Sequence, residues 1–342
     1  MPARTDLTIG VDIGGTKVAA GLVDARGRVT HRTRRDTPGR TTRPSVVEDV
    51  IVDVVQELCA IAEQDGHRVQ AVGLGAAGFV SADASTVVFA PHLSWRDEPI
   101  RDLLVERLDL PVVVDNDANA AAWAEHRFGA AQGETRLLMV TLGTGIGGAM
   151  VQDGRVERGR HGLAGEFGHM QVVPDGVRCE CGNRGCWEQY ASGKAMQREA
   201  REMMLADSPY AAGLVRWCDG DPARVEGHHV TLAAREGDRA ARELLGDVGR
   251  WLGVGLANLA AALDPGTIVV GGGVSEAGDL LLRPARDAFA RQLTGRGHRP
   301  VAPIRAARLG TSAGLVGAAD MARTATAHDR SAGDPGKDAS HR

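Results

Sequence analysis

The chain repeats one short structural pattern, and this repeat constrains its fold more than any other feature. Residues 7–23 alternate like two strands joined by a bend at Gly14 and Gly15. Residues 137–151 give the same alternation around a glycine-rich bend at 143–145. A strand–bend–strand unit that occurs twice predicts two similar α/β domains that face each other.

Hydrophobic periodicity between and after the repeats predicts the remaining elements. Helices are predicted at 44–64, 99–108, 118–128, 193–205, 231–235 and 239–263, and further strands at 28–33, 69–75, 78–80, 86–89, 111–114 and 267–270. A closing helix starts near residue 311, and the residues after about 323 have no period and are predicted to be disordered. The predicted domains are a smaller N-terminal domain of 1–117 plus about 309–323, a larger domain of 118–308, and a disordered tail of 324–342.

Neither glycine bend matches an established nucleotide-binding motif. Gly10–Lys17 resembles a P-loop, but Thr16 and Lys17 are in reversed order and no helix follows. Gly143–Gly148 fits the dinucleotide fingerprint, but it opens a strand and a Rossmann turn must open a helix. Each bend alone could be only a tight hairpin. Two matched bends favour phosphate binding by backbone N–H groups, because a Cβ atom would block close approach.

The candidate nucleotide-binding residues come from the two bends and from a third glycine run that precedes a helix. Lysine is rare in this arginine-rich chain, which has only Lys17, Lys194 and Lys337, and Lys17 therefore stands out beside the first bend. The third run offers bare backbone on which an adenosine can lie. The full set is Asp12, Gly14, Gly15, Thr16, Lys17, Gly143, Thr144, Gly145, Gly271, Gly272 and Gly273.

A second cluster, at residues 161–190, combines metal-binding and acidic residues. Cys179, Cys181 and Cys186 form a Cys-x-Cys-x4-Cys pattern, and His169 lies upstream. Three thiolates and one imidazole are a typical closed ligand set for structural zinc, which leaves Glu166 and Glu188 to provide the chemistry. A disulfide with a spare thiol, or buried small hydrophobic residues, are the alternatives.

Composition excludes several classes of protein. The net charge of −4 with 25% charged residues does not suggest a nucleic-acid-binding or membrane-surface protein. No apolar run is long enough to span a bilayer. Nothing near Met1 resembles a secretory signal, so a reducing, cytoplasmic location is expected and disulfides are disfavoured. Cys59 and Cys218 are interpreted as ordinary thiols.

Two carboxylates and an amide, Asp115, Asn116 and Asp117, stand at the end of a predicted strand and the start of a helix. Helix capping explains them as well as catalysis does. The carboxyl end of a strand is also where open α/β folds bind ligands. A helix N-terminus favours the ionised carboxylate, so Asp117 could accept a proton in a reaction that needs only a weak base, such as phosphoryl transfer.

Taken together, the motifs resemble the ROK family of repressors and sugar kinases, specifically its bacterial glucokinases. The resemblance covers residues 7–322 and is carried by Asp12-x-Gly-Gly-Thr-Lys17, Asp115-Asn-Asp-Ala-Asn119, Leu142-Gly-Thr-Gly-x-Gly-Gly148, and Gly165-Glu-Phe-Gly-His169 with the cysteine pattern through Glu188. It implies an α/β fold of two ribonuclease-H-like (actin/hexokinase-like ATPase) domains around a central cleft, with a structural zinc site.

The resemblance also implies residue roles and cofactors. Asp117 would be the general base that takes the proton from the 6-hydroxyl of glucose. Asn116 and the backbone at Gly78 would bind sugar hydroxyls, and Glu166, His169 and Glu188 would bind the 1- and 2-hydroxyls. His169 would also ligate Zn²⁺, and Asp12 would orient the Mg²⁺ of MgATP. A homodimer or homotetramer is expected, partly because Gly249, Gly253 and Ala257 form a small-residue helix face.

One departure and several alternatives remain open. His92 stands where these glucokinases would be expected to have asparagine, which could alter sugar specificity. The sugar could be N-acylmannosamine, fructose or another hexose, and the donor could be polyphosphate. A sugar-sensing regulator is a further alternative, disfavoured because the first predicted strand leaves no room for a preceding helix-turn-helix.

Overall fold

The computed structural model describes residues 5–332, which form two compact units. Unit 1 comprises residues 5–128, 156–164 and 312–332, and unit 2 comprises residues 129–155 and 165–311. Each unit has its own buried apolar core. We describe the two units separately.

Unit 1 is built on a five-stranded mixed sheet of order β3-β2-β1-β4-β8. Strands β1 and β2 form an antiparallel hairpin, and β4 and β8 add in parallel beside β1. Three short strands, β5 to β7, form a separate small sheet; the sequence predicted strands at 78–80 and 86–89 but not the third, β7. The elements are β1 (Asp6–Ile13), β2 (Lys17–Val23), β3 (Val29–Asp36), α1 (Pro44–Gln64), β4 (Arg68–Ala76), β5 (Phe79–Val80), β6 (Val87–Phe89), β7 (Arg96–Glu98), α2 (Ile100–Leu108), β8 (Val112–Asn116) and α3 (Asp117–Phe128), with the C-terminal helix described below.

Unit 2 has a second five-stranded sheet of order β11-β10-β9-β12-β13. Strands β9 and β10 form the antiparallel hairpin, and β12 and β13 add in parallel beside β9. The predicted duplication is therefore confirmed at the level of strand order and direction. The elements are β9 (Arg136–Leu142), β10 (Ile146–Gln152), β11 (Arg155–Val156), α4 (Glu188–Ala191), α5 (Gly193–Leu205), α6 (Ala212–Val215), α7 (Gly227–Arg235), α8 (Arg239–Leu263), β12 (Thr267–Gly271), α9 (Asp279–Gln292) and β13 (Ile304–Ala306).

Helices with a clear apolar stripe were predicted best. Helices α1, α5 and α8 begin and end at the residues that the sequence predicted. In α1 the residues at helical spacing, such as Val47, Ile51 and Leu58, are fully buried. Helix α7 starts four residues earlier than the predicted Thr231, because Glu226 and His229 form a capping box across its first turn.

The C-terminal helix differs from the prediction in length. Helix α10 (Ala313–Ala332) continues beyond residue 323, where the disordered tail was expected to begin. Thr326 is buried, and its hydroxyl donates a hydrogen bond to the carbonyl of Ala322 at 3.0 Å, so this turn packs even though its sequence is polar. Residues 333–342 of the predicted tail lie outside the described residues.

The compact units also divide at other positions than the predicted domains. The sequence placed a boundary after residue 117, whereas unit 1 extends to Phe128. Helix α3 belongs to unit 1 because it packs closely on α10: a Cβ atom at Gly317 would lie 1.7 Å from the carbonyl oxygen of Ala120. Residues 156–164 also belong to unit 1.

The small-residue face of α8 is used within the chain. A Cβ atom at Gly249 would lie 2.5 Å from the carbonyl oxygen of Leu281, and one at Gly253 would lie 2.3 Å from that of Ala285. Both contacts are with α9, so this face packs two helices of unit 2 together. It gives no support to the expected homodimer or homotetramer, which stays a prediction.

No helix in the described part of the chain combines the length and the apolar character that crossing a bilayer requires.

Candidate active site

The first glycine bend, between β1 and β2, is closed by one hydrogen bond and leaves two N–H groups unused. The N–H of Gly14 donates to the carbonyl of Lys17 at 3.0 Å, and the hydroxyl of Thr37 donates to the carbonyl of Gly14 at 2.7 Å. Among the described residues, no hydrogen bond uses the N–H of Gly15 or Thr16. These two groups are therefore free to bind an anion.

A carboxylate and an ammonium group flank this bend. Burial raises the pKa of the Asp12 carboxyl to about 6, and the positive charge of Lys17 opposes this shift. The first turn of α10 approaches Asp12 so closely that a Cβ atom at Gly314 would lie 2.9 Å from its carboxyl carbon. A buried carboxylate that is costly to ionise alone is well suited to pair with a cation.

His92 lies against the first bend. A Cβ atom at Gly15 would lie only 2.7 Å from the Cβ atom of His92. The loop that carries His92 is fixed by the buried side chains of Leu93 and Trp95 and by Arg96, which donates to the carbonyl of Ala90 at 2.9 Å. His92, which departs from the expected glucokinase pattern, thus lies beside the phosphate-binding candidates.

The residues around the start of α3 form the second cluster in unit 1. The side-chain oxygen of Asn116 accepts from the N–H groups of Ala118 at 2.9 Å and Asn119 at 3.2 Å, so Asn116 caps the helix. Its amide nitrogen donates to the carbonyl of Gly78 at 3.0 Å. The structure therefore brings Gly78, Asn116 and Asp117 together at the end of β8.

The neighbouring carboxylate of Asp115 has a structural environment. It is almost fully buried and accepts from Asn119 at 2.8 Å and from the Nε of Arg158 at 2.9 Å. A second guanidinium nitrogen of Arg158 completes the ion pair. Because Asp115 is fully engaged and Asn116 caps the helix, Asp117 is the carboxylate of this trio that fits a chemical role.

In unit 2, glycines allow a short turn to pack directly on β10. A Cβ atom at Gly148 would lie 2.7 Å from the carbonyl oxygen of Gly165, and one at Gly168 would lie 2.4 Å from that of Ile146. The turn at Phe167–His169 is a single turn of 3-10 helix. The glycine pattern that imitates a dinucleotide fingerprint therefore serves close packing of this turn, which carries Glu166 and His169.

Glu166, His169 and Glu188 converge on one place in unit 2. His169 lies between the two carboxylates, with its Nε2 3.9 Å from Glu166 and its Nδ1 3.8 Å from Glu188. Burial raises the pKa of Glu166, the nearby His169 lowers it, and the charge of Glu188 raises it. Two carboxylates and an imidazole in this arrangement can accept and donate several hydrogen bonds to a polyol.

The predicted zinc ligands also come together. The four ligand atoms of His169, Cys179, Cys181 and Cys186 all lie within 4.8 Å of one another. The sulfur of Cys179 is 3.7 Å from Nδ1 of His169, and the sulfurs of Cys181 and Cys186 are 3.6 Å apart. In a zinc tetrahedron with bonds of about 2.3 Å, ligand atoms lie about 3.8 Å apart, so these residues fit zinc.

The three thiols of the cluster differ in acidity. Burial raises the pKa of the Cys179 and Cys186 thiols, whereas at Cys181 the effect of burial is outweighed by hydrogen bonds, which lower the pKa of that thiol, and a bound cation would hold all three as thiolates. All five cysteines are free thiols, which excludes the disulfide alternative in this structure. Cys218 is buried and Cys59 is partly buried, in agreement with ordinary thiols.

The second glycine bend, between β9 and β10, adjoins both the carboxylates and a cavity. The N–H of Gly143 donates to the carbonyl of Gly145 at 3.0 Å, and in the described residues the N–H groups of Thr144 and Gly145 are left unused. A Cβ atom at Gly145 would lie 2.6 Å from a carboxylate oxygen of Glu188. Like the first bend, this one is closed by its first glycine and offers two unused N–H groups, but it is one residue shorter.

A cavity of about 590 Å³ in unit 2 opens beside this bend. Of the predicted nucleotide-binding residues of unit 2, Gly143, Thr144 and Gly273 line it. Gly271 is buried within β12, and Gly272 packs on Leu142. The remaining wall was missed by the sequence reasoning and consists of Gly193, Lys194, Gln197, Glu226, Gly227, His228, Thr231, Leu232, Arg235, Val274 and Glu276.

Most of this wall has no sequence motif that could have revealed it, because its residues come from three separate helices. Two signals were nevertheless present. Lys194 is one of only three lysines, and Gly193 stands at the start of a helix. In the structure the N–H of Gly193 donates to the carbonyl of Gly143 at 2.9 Å, and a side chain at Gly193 would prevent this approach.

Comparison with known proteins places these features in context. The sequence profile of the ROK family matches residues 8–325. The chain is 48% identical to a glucokinase of Streptomyces coelicolor over 317 residues, 93% of this chain and 98% of the relative. A solved ROK family glucokinase from Streptomyces griseus, in complex with glucose and AMPPNP, is 50% identical, with a TM-score of 0.83 and coverage of 93% of this chain and 99% of that chain.

A solved ROK family transcriptional regulator, a homolog of the E. coli MLC protein, is more distant. It is 26% identical, with a TM-score of 0.80, and covers 92% of this chain and 77% of that chain. The profile match includes every candidate residue of both units, from Asp12 to Gly273.

Proposed function

This chain belongs to the ROK family, and on that premise we propose that it is a glucokinase that transfers the γ-phosphoryl group of ATP to the 6-hydroxyl of glucose. The observation that carries the proposal is the similarity, over nearly the full length of both chains, to a glucokinase solved with glucose and AMPPNP. The geometry of the two residue clusters and the two bends supports it independently.

The two bends bind the phosphates of the nucleotide. Each offers two unused N–H groups, at Gly15 and Thr16 in unit 1 and at Thr144 and Gly145 in unit 2. Asp12 orients Mg²⁺, because its ionised form needs a cation in so buried a place. The cavity beside the second bend holds the remainder of ATP, with Gly273 in its wall and Gly271 and Gly272 shaping the backbone behind it.

The sugar is held by the two polar clusters. Glu166, His169 and Glu188 accept and donate hydrogen bonds to the 1- and 2-hydroxyls of glucose. In unit 1 the Asn116 amide has one N–H left after its bond to Gly78, and it donates to a further hydroxyl. Sites built from such groups reject analogues that lack a hydroxyl, because buried polar groups would lose their partners.

The reaction then needs one proton acceptor. The 6-hydroxyl oxygen of glucose bonds to the γ-phosphorus of ATP, and Asp117 takes the proton of that hydroxyl. The bond between the γ-phosphorus and the β-phosphate oxygen breaks, which releases ADP. The start of α3 keeps Asp117 ionised, because a helix N-terminus stabilises negative charge. The loose transition state of phosphoryl transfer asks mainly for positioning, so a weak base is sufficient.

Zinc has a structural role in this proposal. His169, Cys179, Cys181 and Cys186 hold it, and a closed four-ligand shell leaves no open position for substrate. When bound, the metal fixes the ring of His169 so that Nδ1 faces the metal and Nε2 faces Glu166 and the sugar.

A coupled assay over a panel of sugars, with ATP and polyphosphate as separate donors, tests the proposal. Glucose with ATP is expected to give the highest kcat/KM. A clear preference for N-acylmannosamine, fructose or another hexose would overturn the substrate, and activity with polyphosphate alone would overturn the donor.

A further inference from the structure

Lys194 occupies a position beside the second bend that corresponds chemically to that of Lys17 beside the first. Lys17 directly follows the first bend, and the backbone N–H of Lys194 donates to the carbonyl of Thr144 in the second bend at 3.2 Å. The sequence has 40 lysines and arginines, and only three of them are lysines. Both lysines in the described residues therefore lie next to a phosphate-binding bend.

The side chain of Lys194 lines the cavity of unit 2. Of the other basic side chains in the cavity wall, Arg235 donates to the carbonyl of Glu276, and His228 lies 3.1 Å from Glu226; both partners also line the cavity. Lys194 is the basic residue of this wall whose backbone N–H donates a hydrogen bond directly to the second bend, at Thr144. A lysine ammonium is a compact point charge with three donors, which suits the oxygens of a phosphate.

The ammonium group of Lys194 has a carboxylate partner outside the cavity. It forms an ion pair with Glu180, which lies between the zinc ligands Cys179 and Cys181. The pair is exposed, with side-chain exposures of 50% for Lys194 and 72% for Glu180, and exposed pairs of this kind contribute little to stability. A multiply charged phosphate can therefore compete with Glu180 for the same ammonium group.

We propose that Lys194 binds the polyphosphate tail of the nucleotide and that Glu180 holds its ammonium group when no nucleotide is bound. The proposal rests on the proposed function, since it assigns a further ligand for the nucleotide of that site. It makes Lys194 a substrate-binding residue, and it makes Glu180 a competitor of the nucleotide.

Two substitutions separate this role from a purely structural ion pair. Lys194→Met removes the ammonium group and is expected to raise the KM for ATP about tenfold or more, with a smaller effect for Lys194→Arg. Glu180→Gln breaks the same ion pair but leaves the ammonium group, so the KM for ATP should stay the same or fall. A structural ion pair predicts that both substitutions change the KM for ATP in the same direction.

Binding of ADP and of adenosine, measured by calorimetry, locates the contact. Lys194→Met should weaken ADP binding by a similar factor and leave adenosine binding within about twofold, because only ADP carries phosphates. Equal weakening of both ligands would show a damaged cavity and would overturn the proposal. Thermal unfolding and zinc content of each variant verify that the fold and the zinc loop are intact, and Lys194→Arg takes the place of Lys194→Met if the latter does not fold.

These measurements also separate failure of this inference from failure of the proposed function. If the wild-type protein phosphorylates glucose with ATP and Lys194→Met has an unchanged KM for ATP, the role of Lys194 is refuted and the function stands. If the wild-type protein binds ADP but does not phosphorylate glucose, the function is refuted, and the difference between ADP and adenosine still decides the role of Lys194.

Discussion

In unit 1 the glycine bend between β1 and β2 is flanked by a buried carboxylate at Asp12 and an ammonium group at Lys17. In unit 2 the equivalent bend between β9 and β10 carries no charged residue and instead adjoins Glu188 and a cavity. In both bends the N–H of the first glycine closes the hairpin, and in the described residues two later N–H groups are left unused, although the first bend is one residue longer. The two copies of the duplicated hairpin therefore have different functional groups beside their bends.

This difference predicts that the two units contribute different functions to the reaction. Unit 1 carries the proposed proton acceptor Asp117 and the proposed Mg²⁺-orienting group Asp12. Unit 2 carries the candidate zinc ligands, three proposed hydroxyl-binding groups and the cavity proposed to hold the nucleotide. We therefore expect substitutions of Asp117 and Asp12 to act mainly on kcat, and substitutions around Glu188 to act mainly on the KM for glucose.

The largest effect is expected for Asp117→Asn. Loss of a general base lowers turnover by roughly 10²- to 10⁴-fold, so kcat should fall at least several hundredfold. Glucose affinity, measured by calorimetry, should change less than about threefold, because hydroxyl binding rests on other groups. Asp115→Asn is the matched control. It weakens the buried ion pair with Arg158, so the free energy of unfolding should fall by more than the activation free energy of turnover rises. Near-normal turnover of Asp117→Asn would remove Asp117 from its role.

Loss of the metal should affect glucose binding next most strongly. Cys186→Ser is expected to abolish stoichiometric zinc and to raise the KM for glucose about 10- to 100-fold, the range seen when the support of a metal site is lost. The physical reason is that zinc would hold the ring of His169, which lies 3.9 Å from Glu166 and 3.8 Å from Glu188, so a disordered loop would release the sugar-binding groups. Metal analysis and saturation kinetics measure both effects.

The control for this substitution is Cys59→Ser, outside the zinc loop, which should retain both zinc and glucose affinity. Retention of normal glucose affinity by a zinc-free Cys186→Ser protein would show that the metal does not hold the sugar-binding groups.

Alanine substitutions in the two bends compare the units most directly. At Gly145 the new Cβ atom would lie 2.6 Å from Glu188, so the KM for glucose should rise about tenfold as that carboxylate moves. At Gly15 it would lie 2.7 Å from the Cβ atom of His92, so kcat and the KM for ATP should change instead. An equal shift of the KM for glucose in Gly15→Ala and Gly145→Ala would contradict the prediction that the two units have different functions.

The smallest predicted effect is a pH dependence of the Mg²⁺ requirement. Burial raises the pKa of Asp12 to about 6, so protonation removes its charge as the pH falls through that value. Between about pH 7.5 and about pH 5.5, the Mg²⁺ concentration for half-maximal activity should rise about fourfold, in proportion to the loss of the ionised form. In Asp12→Asn, which is expected to be less active, this pH dependence should disappear. A wild-type requirement that is constant over the range would contradict the role of Asp12.

Much of the fold followed from local patterns in the sequence. Helices with a continuous apolar stripe, such as α1 and α8, were predicted to the residue, and the repeated hairpins predicted two similar α/β units. The actin/hexokinase-like fold was implied by the family resemblance, which the family match confirms. The boundaries of the units were not predictable in this way. They depend on which helix packs on which, as when Gly317 of α10 admits the backbone of Ala120, and such contacts have no signal within either helix.

The candidate site divides along the same line. A short-range motif predicted the zinc ligands, which the structure brings together because close spacing in sequence keeps them close in space. The motif at residues 115–117 offered Asp117 as a candidate base, and that role stays a prediction. The cavity wall was missed because α5, which carries Lys194 and Gln197, and α7, which carries Thr231, are brought to the bend only by the tertiary fold. The contact between Gly145 and Glu188 could not be predicted from local sequence either, since the two residues lie 43 positions apart in the chain.

The product of the wild-type reaction tests the central claim most directly. The protein should be incubated with glucose and MgATP, and the phosphorylated sugar analysed by phosphorus–proton correlation in NMR. The phosphorus of the sugar product should couple only to the two protons on carbon 6 of glucose, in both anomers, and the product should form in a one-to-one ratio with ADP. Coupling to the anomeric proton, or formation of ADP without a sugar phosphate, would contradict the central claim.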